Sequence, residues 1–272
     1  MVKINVKYVH KLDDPKSSMS LIKAFNERWG DEINVLPDSV LVEDVGMDTV
    51  IVVFGGDGTM LHTMKRIIRP FTRTEFVDRP HVVGINNGKV GYLTSFTVDS
   101  FGLIMKGQVR EVYYPILVGS VNQQPFHAVN EVMLSASNIG LPVTINIEVN
   151  DKQLYNFSGT GVIVSTPTGS TAINLSAGGP IMLASEGDEH MIITPILAHS
   201  VKTKPIVLSN RSKVLIKPTR GPLEVFADGQ SVTNNVPVDS EVELEYNGLY
   251  SNIYHPMDWS IIDVLHEKIL SL

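Results

Sequence analysis

Cysteine is absent from this chain of 272 residues, and its absence excludes several kinds of chemistry. Without thiols the protein can form neither a disulfide framework nor a thiolate metal site, and it cannot use a cysteine nucleophile. A chain without disulfides fits a reducing compartment. We therefore expect a cytoplasmic protein.

Long apolar runs and an excess of basic charge are also lacking. No apolar stretch approaches the ~20 residues needed to cross a bilayer, and residues 1–6 predict a short strand and not the apolar core of a signal peptide. The formal net charge is −7, whereas general nucleic-acid-binding proteins are usually basic. We therefore expect a soluble protein that binds neither membranes nor nucleic acids.

The first part of the chain, up to about residue 100, alternates strand and helix patterns. Apolar, β-branched runs at 50–54 and 81–85 predict buried parallel strands. Residues 3–9 predict an earlier strand, and the apolar spacing of 18–29 and 60–68 predicts helices. This alternation indicates an α/β domain of the nucleotide-binding kind.

After about residue 107, strand-like runs follow one another closely, with turn signals such as Asn150-Asp151 between them. The runs are 112–120, 127–134, 144–149, 161–165, 212–216, 223–227 and 242–246. They predict a mainly antiparallel, β-rich second domain. Residues 259–270 predict a terminal helix that returns to the first domain. The expected fold class is α/β plus mainly β, divided into 1–102 with 253–272, and 103–252.

The loop Gly55-Gly56-Asp57-Gly58-Thr59 lies between the apolar run 50–54 and the following helix. Glycines let the backbone approach a ligand closely, and the amides at a helix N-terminus attract anions. The lysine of a Walker A motif and the glycine spacing of the Rossmann fingerprint are both missing. The layout therefore predicts a phosphate-binding turn of another kind.

Asp57 is the unusual residue of this loop, because a carboxylate beside bound phosphates repels them unless it has a function. It could accept the proton of an attacking hydroxyl, as a general base does in phosphoryl transfer. It could also help to hold Mg²⁺. The alternative is that Asp57 caps the helix. Because the loop directly follows a buried strand, we favour a role in catalysis.

Two further groups of polar residues offer ligand contacts. Asn130-Glu131 has the donors and acceptors that suit a ribose diol, although the pair alone is better explained as an exposed polar turn. Residues 159–179 join an apolar run to a loop with five hydroxyl residues between Ser165 and Thr171. A turn that caps its own helix needs only one of them, so we expect this loop to bind a ligand.

Taken in order, these motifs resemble the NAD kinase family of the bacterial type over about residues 50–235. The glycine loop matches its Gly-Gly-Asp-Gly signature, and Asn130-Glu131 matches its Asn-Glu pair. Residues 161–179, 87–93 and 228–230 are similar to its Gly/Ser/Thr-rich block, its Gly-x-x-Gly-Phe segment and its Asp-Gly-Gln turn. The glycine loop alone is shared with lipid kinases and phosphofructokinases, so the combination carries the resemblance.

The resemblance implies transfer of a phosphoryl group from ATP, or from polyphosphate in some bacterial members, to the 2′-hydroxyl of the adenosine ribose of NAD. The product would be NADP, and Asp57 would be the general base. A divalent cation, Mg²⁺, would accompany ATP, with no tightly bound cofactor and no metal site of the protein itself. Members of the family are usually homodimers or homotetramers.

The resemblance also implies a set of substrate-binding residues. Gly58 would lie beside the diphosphate, Tyr92 and Leu93 beside the adenine, and Asn130 and Glu131 against sugar hydroxyls. Thr168 and the residues from Thr171 to Ser176 would line the adenine and nicotinamide ends. The full set is Gly56, Gly58, His62, Tyr92, Leu93, Asn130, Glu131, Ser158, Thr160, Thr168, Thr171, Ala172, Ile173, Asn174, Ser176, Asp228 and Gln230.

Four positions depart from the family pattern. Ile173 replaces the usual Tyr, Thr160 a frequent Asp, Ser158 a basic residue and His62 a frequent Arg. These changes bear on affinity and selectivity more than on the chemistry. Two other functions stay open at this stage: a kinase of the same superfamily that acts on a lipid or sugar hydroxyl, and a nucleotide sensor without activity.

Overall fold

The computed structural model describes residues 3–10, 15–70, 80–86, 91–138, 140–183 and 189–271. The chain forms two compact units, one of Met1–Tyr113 with Tyr250–Leu272 and one of Tyr114–Leu249. The strand and the helix predicted near the start are confirmed with small shifts, as are the buried strands 50–54 and 81–85. The domain boundaries expected at 102/103 and 252/253 stay a prediction.

The first unit is built on a parallel sheet. In the described part of this unit, its elements are β1 (Ile4–His10), α1 (Pro15–Trp29), β2 (Ile33–Val35), β3 (Thr49–Phe54), α2 (Asp57–Arg66), β4 (Arg69–Pro70), β5 (His81–Ile85) and α3 (Gly102–Met105). The strands β2, β1, β3 and β5 are neighbours in that order, and all are parallel. The central strand β3 is buried along its whole length, as its apolar, β-branched sequence predicts.

Aromatic side chains fill the core between the sheet and the helices of this unit. Phe25 of α1 makes edge-to-face contacts with Tyr8 of β1, Phe54 of β3 and Phe101, at ring-centroid distances of 4.7 to 5.9 Å. Such contacts add to the stabilisation that burial of the rings provides. The core thereby fixes the end of β3, where the glycine loop begins.

The second unit consists mainly of antiparallel strands. Its described elements are β6 (Val109–Val121), β7 (Gln124–Ala128), β8 (Glu131–Ala136), β9 (Val143–Val149), β10 (Lys152–Gly159), β11 (Gly161–Ser165), α4 (Ile173–Ser176), β12 (Met191–Ile196), β13 (Ile206–Leu208), β14 (Val214–Arg220), β15 (Leu223–Ala227), β16 (Gln230–Val236) and β17 (Val242–Pro256). The first residues of β6 and the last of β17 belong to the first unit.

Two sheets share the core of this unit. One has the order β10-β9-β14-β17-β6-β7 with β4 added to β17, and the other has the order β13-β12-β11-β8-β15-β16. Side chains of both sheets form a single apolar cluster, with Leu117 and Ile145 from the first and Val164 and Val225 from the second. The unit is therefore a two-layered β structure, and the predicted fold class, α/β plus mainly β, is confirmed.

The chain ends in a helix that belongs to the first unit. After β17, α5 (Ile261–Leu265) begins at Ser260, whose hydroxyl accepts hydrogen bonds from the amides of Ile262 and Asp263. A wider helical turn follows over His266–Leu270. Among the described residues, no helix is long and apolar enough to cross a bilayer.

The structure corrects two details of the sequence prediction. Residues 127–134 are not one strand, because β7 ends at Ala128 and β8 begins at Glu131, and the two strands belong to different sheets. The helix expected from residue 60 begins at Asp57 and ends at Arg66. Both corrections concern the polar motifs, which lie where an element begins.

Candidate active site

The glycine loop connects β3 to α2 in the first unit. Gly56 is the residue before the first helical turn, and no side chain caps that turn. A Cβ atom at Gly56 or Gly58 would meet nothing within 4 Å, so one side of the loop is open. The first amides of a helix have no partner within the helix. The open side of this loop can therefore receive an anion.

The carboxylate of Asp57 is held by the loop that follows β5. Its Oδ1 accepts hydrogen bonds from the amides of Leu93 at 3.0 Å and Thr94 at 3.1 Å, and from the Thr94 hydroxyl at 3.0 Å. Its Oδ2 accepts one from the amide of Tyr92 at 3.0 Å. Asp57 therefore does not cap α2, which was the alternative, but fastens one loop to another.

The hydrogen bonds of Asp57 leave its two oxygens unequal. A carboxylate oxygen has about two lone-pair sites, and Oδ1 has three donors whereas Oδ2 has one among the described residues. Oδ2 can therefore accept a further hydrogen bond, such as that of a substrate hydroxyl. Position 91 must be a glycine, because a side chain there would overlap Oδ1 of Asp57 and Oγ1 of Thr94.

The predicted residues around Asp57 have different exposures. Tyr92 is half-buried, and the ammonium of Lys268 lies 5.6 Å from the centre of its ring. Leu93 is buried, with 2% of its surface exposed, and His62 is exposed on α2. Residues 87–90 of the predicted Gly-x-x-Gly-Phe segment lie outside the described residues. Thr94 was not predicted, although it directly follows the motif residues Tyr92 and Leu93.

The second unit holds the Asn-Glu pair at the crossing from β7 to β8. Asp228, in the turn between β15 and β16, accepts hydrogen bonds from the amides of Val129 at 3.0 Å, Asn130 at 2.7 Å and Glu131 at 3.3 Å. The amide of Asp228 donates in return to the carbonyl of Glu131 at 3.0 Å. The predicted residues Asn130, Glu131 and Asp228 are thus brought together. Gln230, also predicted, is exposed at the start of β16.

Glu131 is the most strongly perturbed acid of this group. The residue is 7% exposed, and burial together with the nearby charge of Asp228 raises the pKa of its carboxyl group to about 7. The backbone amides of the crossing donate to Asp228 and not to Glu131. Two neighbouring carboxyl groups therefore have unequal surroundings, which is a common property of functional sites.

The hydroxyl-rich loop after β11 packs against the same crossing. The Thr166 hydroxyl donates to the carbonyl of Val129 at 2.6 Å, and its amide donates to the carbonyl of Asn130 at 2.8 Å. Gly169 lies so close to the backbone of Asn130 that no side chain fits there. Two of the hydroxyl groups that predicted a ligand therefore hold this loop to the crossing, that of Thr166 at Val129 and that of Ser165 at Asn130.

The other predicted residues of this loop divide by exposure. Thr168, Thr171 and Ala172 are half-buried, whereas Ile173 and Ser176 are exposed. Asn174 is fully buried, where its side-chain amide donates to the carbonyls of Ser170 and Pro180 and accepts from the Thr194 hydroxyl at 2.7 Å. Its ligand contact stays a prediction, and its observed contacts are structural.

Ser158 and Thr160 lie where β10 passes into β11. Their side chains form no hydrogen bond to the β7–β8 crossing among the described residues. The Ser158 hydroxyl shares a hydrogen bond of 3.0 Å with the Thr144 hydroxyl, and that of Thr160 donates to the carbonyl of Ile196 at 3.3 Å.

Across the described residues, no group of three or more His, Asp or Glu side chains could hold a metal ion.

Comparisons with known proteins agree over both units. Residues 7–113 match the model of the ATP-NAD kinase N-terminal domain, and residues 129–245 match that of the ATP-NAD kinase C-terminal domain. The chain is 34% identical to the NAD kinase of Fusobacterium nucleatum subsp. nucleatum over 99% of this chain and 97% of the relative. It is 32% identical to the NAD kinase of Shewanella loihica, over 89% and 84% of the two chains.

Two solved structures have the same fold. The NAD kinase of Archaeoglobus fulgidus in complex with ATP superposes with a TM-score of 0.70 at 25% identity, over 93% of this chain and 94% of that one. The yeast NADH kinase complexed with NADH superposes with a TM-score of 0.80 at 20% identity, over 99% and 88%.

Proposed function

This chain belongs to the ATP-NAD kinase family, and from that premise we propose that it transfers a phosphoryl group from ATP to the 2′-hydroxyl of the adenosine ribose of NAD, giving NADP. The observation that carries this proposal is the position of Asp57. Asp57 is the first residue of α2 and lies in the chain between Gly56 and Gly58, at both of which there is open space. A base and an anion site are thereby adjacent.

In the proposed step, Oδ2 of Asp57 accepts the proton of the 2′-hydroxyl while the hydroxyl oxygen forms a bond to the γ-phosphorus of ATP. The bond from that phosphorus to the β–γ bridging oxygen breaks, and ADP leaves with the electron pair. The hydrogen bonds from Tyr92, Leu93 and Thr94 keep the carboxylate in place during this transfer. Positioning of this kind is the main contribution that a protein makes to phosphoryl transfer.

We further propose that the substrate ATP arrives with a divalent cation such as Mg²⁺. This cation usually binds through substrate phosphates with one or two carboxylates at most, so it needs no site built from several acidic residues. The ATP complex of the relative from A. fulgidus supports ATP as the donor. Polyphosphate is the second donor to be tested in the same assay.

The nucleotide-binding set in the second unit is part of this proposal. Asn130 and Glu131 would contact sugar hydroxyls, and the accessible Thr168, Thr171 and Ser176 would contact the ends of NAD. Their support is the close packing of the loop 165–169 on the Asn130 crossing. A homodimer or homotetramer in the cytoplasm, as the resemblance implies, is proposed with it, and the mass in solution by light scattering tests the assembly.

The direct test is formation of NADP by the purified protein with NAD, Mg²⁺ and either ATP or polyphosphate, followed with an NADP-specific dehydrogenase. We expect Asp57→Asn to lower kcat at least ~100-fold, since a general base contributes that much or more, while the dissociation constant for NAD changes little. Asp99→Asn, at an exposed aspartate of the same unit, should retain full activity.

Two outcomes would contradict the proposal in different ways. Turnover of a lipid or sugar and none of NAD would leave the kinase chemistry and change the substrate. Full activity of Asp57→Asn would show that Asp57 is not the general base. Because asparagine places an NH₂ group against one of the amides of residues 92–94, the thermal stability of the variant must be measured together with its activity.

A further inference from the structure

Two carboxyl groups, those of Glu131 and Asp228, lie at the β7–β8 crossing. They differ in the hydrogen bonds that they accept from backbone amides. Asp228 accepts hydrogen bonds from the amides of Val129, Asn130 and Glu131. Hydrogen bonds of this kind stabilise the charged form of a carboxylate. The backbone amides of the crossing therefore donate to Asp228 and not to Glu131.

Glu131 lacks this stabilisation. Its Oε2 is buried, and no donor reaches it among the residues that the structure describes. On β11 the residue paired with Glu131 is the neutral Ser165, and on the β15 side the carbonyl of Glu131 accepts a hydrogen bond from the amide of Asp228. The charged group that acts on Glu131 is Asp228, which is also negative. Burial, the absence of donors and a like charge all disfavour a second negative charge here.

We propose that Glu131 carries a proton in the free protein and binds NAD as a hydrogen-bond donor, through its carboxyl O–H, to a ribose hydroxyl oxygen. The identity of the ligand rests on the proposed function, whereas the proton rests on the crossing alone. A charged carboxylate can only accept hydrogen bonds, but a protonated one donates as well. Two neighbouring acids with divergent surroundings divide the roles in this way.

The proposal links nucleotide binding to pH. Burial and the charge of Asp228 hold the pKa of Glu131 at about 7, so the proton is present in slightly acidic solution and is lost in alkaline solution. Each pH unit above the midpoint lowers the protonated fraction tenfold. If the protonated form alone binds, the dissociation constant of NAD rises roughly 30-fold between pH 6 and pH 8.5.

The proton can be observed without any ligand. In infrared difference spectra of the full chain, the C=O band of a protonated carboxyl group should persist to about neutral pH and titrate with a midpoint near 7. The band should be missing from Glu131→Gln and present in Glu243→Gln, an exposed glutamate of β17. A band that titrates near the ordinary value of 4.5 overturns the proposal.

The second measurement is calorimetric titration with NAD between pH 6 and pH 8.5. The unmodified protein should show the rise in dissociation constant, and Glu131→Gln, which is neutral and keeps an NH₂ donor, should bind NAD with little dependence on pH. An equal slope in both proteins, or a flat profile in the unmodified one, overturns the donor role. If Glu131→Gln does not fold, the spectra of the unmodified protein decide.

The two proposals fail separately. Formation of NADP with a flat pH profile of NAD binding contradicts the donor role and leaves the kinase intact. A neutral infrared midpoint without any binding of NAD contradicts the proposed function and the named ligand, while the protonated Glu131 stands.

Discussion

Asp57 combines two properties, of which the sequence indicated one. Its place after an apolar strand, among glycines, marked it as a functional carboxylate. Its four hydrogen bonds to residues 92–94 were not predictable, because they depend on β3 and β5 being neighbours in the sheet. The carboxyl ends of parallel neighbours meet at one edge, so the two loops meet there. The same residue is therefore the proposed base and a structural link between loops.

Substitution of Thr94 tests whether the position of the Asp57 carboxylate affects kcat. Its hydroxyl donates to Oδ1 of Asp57 and accepts from Nδ2 of Asn86. We expect Thr94→Val to lower the free energy of unfolding by about 1.5–3 kcal/mol, the net value of a hydrogen bond to a carboxylate. We also expect kcat to fall about fivefold, with the dissociation constant of NAD unchanged, since binding does not require the hydroxyl. Steady-state kinetics and calorimetry measure the two effects.

Two variants control this experiment. Thr94→Ser keeps the hydroxyl and should restore kcat. Thr63→Val removes an equally buried hydroxyl, one that donates to a carbonyl within α2 and does not contact Asp57. A loss of kcat in Thr63→Val as large as that in Thr94→Val would show that Thr94 acts through stability alone.

At the scale of elements, strands with regular apolar patterns were predicted and irregular ones were missed. β12 contains Pro195, and proline is rare inside strands because it cannot donate to the ladder. The structure tolerates it because β13 pairs only with Met191–Ile193, so β12 is an edge at Pro195. β16 was missed because its sequence is mostly polar and its pairing with β15 is interrupted by irregularities.

The crossing between β7 and β8 is the element that brings together the predicted binding residues Asn130, Glu131 and Asp228 of the second unit. Polar residues there predicted contacts with a ligand, but not that the chain passes from one sheet to the other. At that passage the backbone amides of residues 129–131 donate to Asp228. A site residue of the sequence motif therefore has a structural function as well.

We expect Asp228→Ala to lower the free energy of unfolding by about 2–4 kcal/mol, since it leaves buried amides without an acceptor. It should also weaken NAD binding, because Asn130 and Glu131 lose their position. Urea denaturation and calorimetry measure these changes. Asp239→Ala is the matched control, since Asp239 also has a positive φ of 65° beside the 51° of Asp228. Equal losses in both variants would assign the effect to backbone strain.

At the scale of the whole molecule, the α/β and β-rich halves were predicted from the sequence pattern of strands, helices and turns. This was possible because buried parallel strands and polar-faced antiparallel strands differ in composition. The sequence pattern could not predict that one unit contains a buried basic group and the other a buried acidic group. His255 lies in the first unit and Glu131 in the second. The stability of each unit should therefore respond to pH in the opposite direction.

His255 is fully buried, stacks on Trp259 at a ring distance of 4.0 Å and shares a hydrogen bond of 2.7 Å with the Ser95 hydroxyl. Burial, with a smaller contribution from the charge of Arg110, lowers its pKa to about 3 from 6.5. The unfolded chain then binds the proton more readily, so stability is lost as the pH falls below 6.5. The loss is about 2 kcal/mol at pH 5.

Glu131 has the reverse effect, because its pKa is raised from 4.5 to about 7. The folded state holds the proton more firmly, so the stabilisation is complete below pH 4.5. Up to about 3 kcal/mol of it is lost as the pH rises through 7. Acidification from pH 7 to pH 5 should therefore weaken the first unit and strengthen the second.

The two tryptophans of the chain, Trp29 and Trp259, both lie in the first unit, so their fluorescence reports on that unit. Hydrogen exchange of β8 and β11 amides reports on the second. Between pH 7 and pH 5, after correction for the intrinsic rate, the urea midpoint from fluorescence should fall while protection in β8 rises. His255→Gln should abolish the first change, and the exposed His266→Gln should not. If both probes shifted in the same direction, the opposed roles of His255 and Glu131 would be excluded.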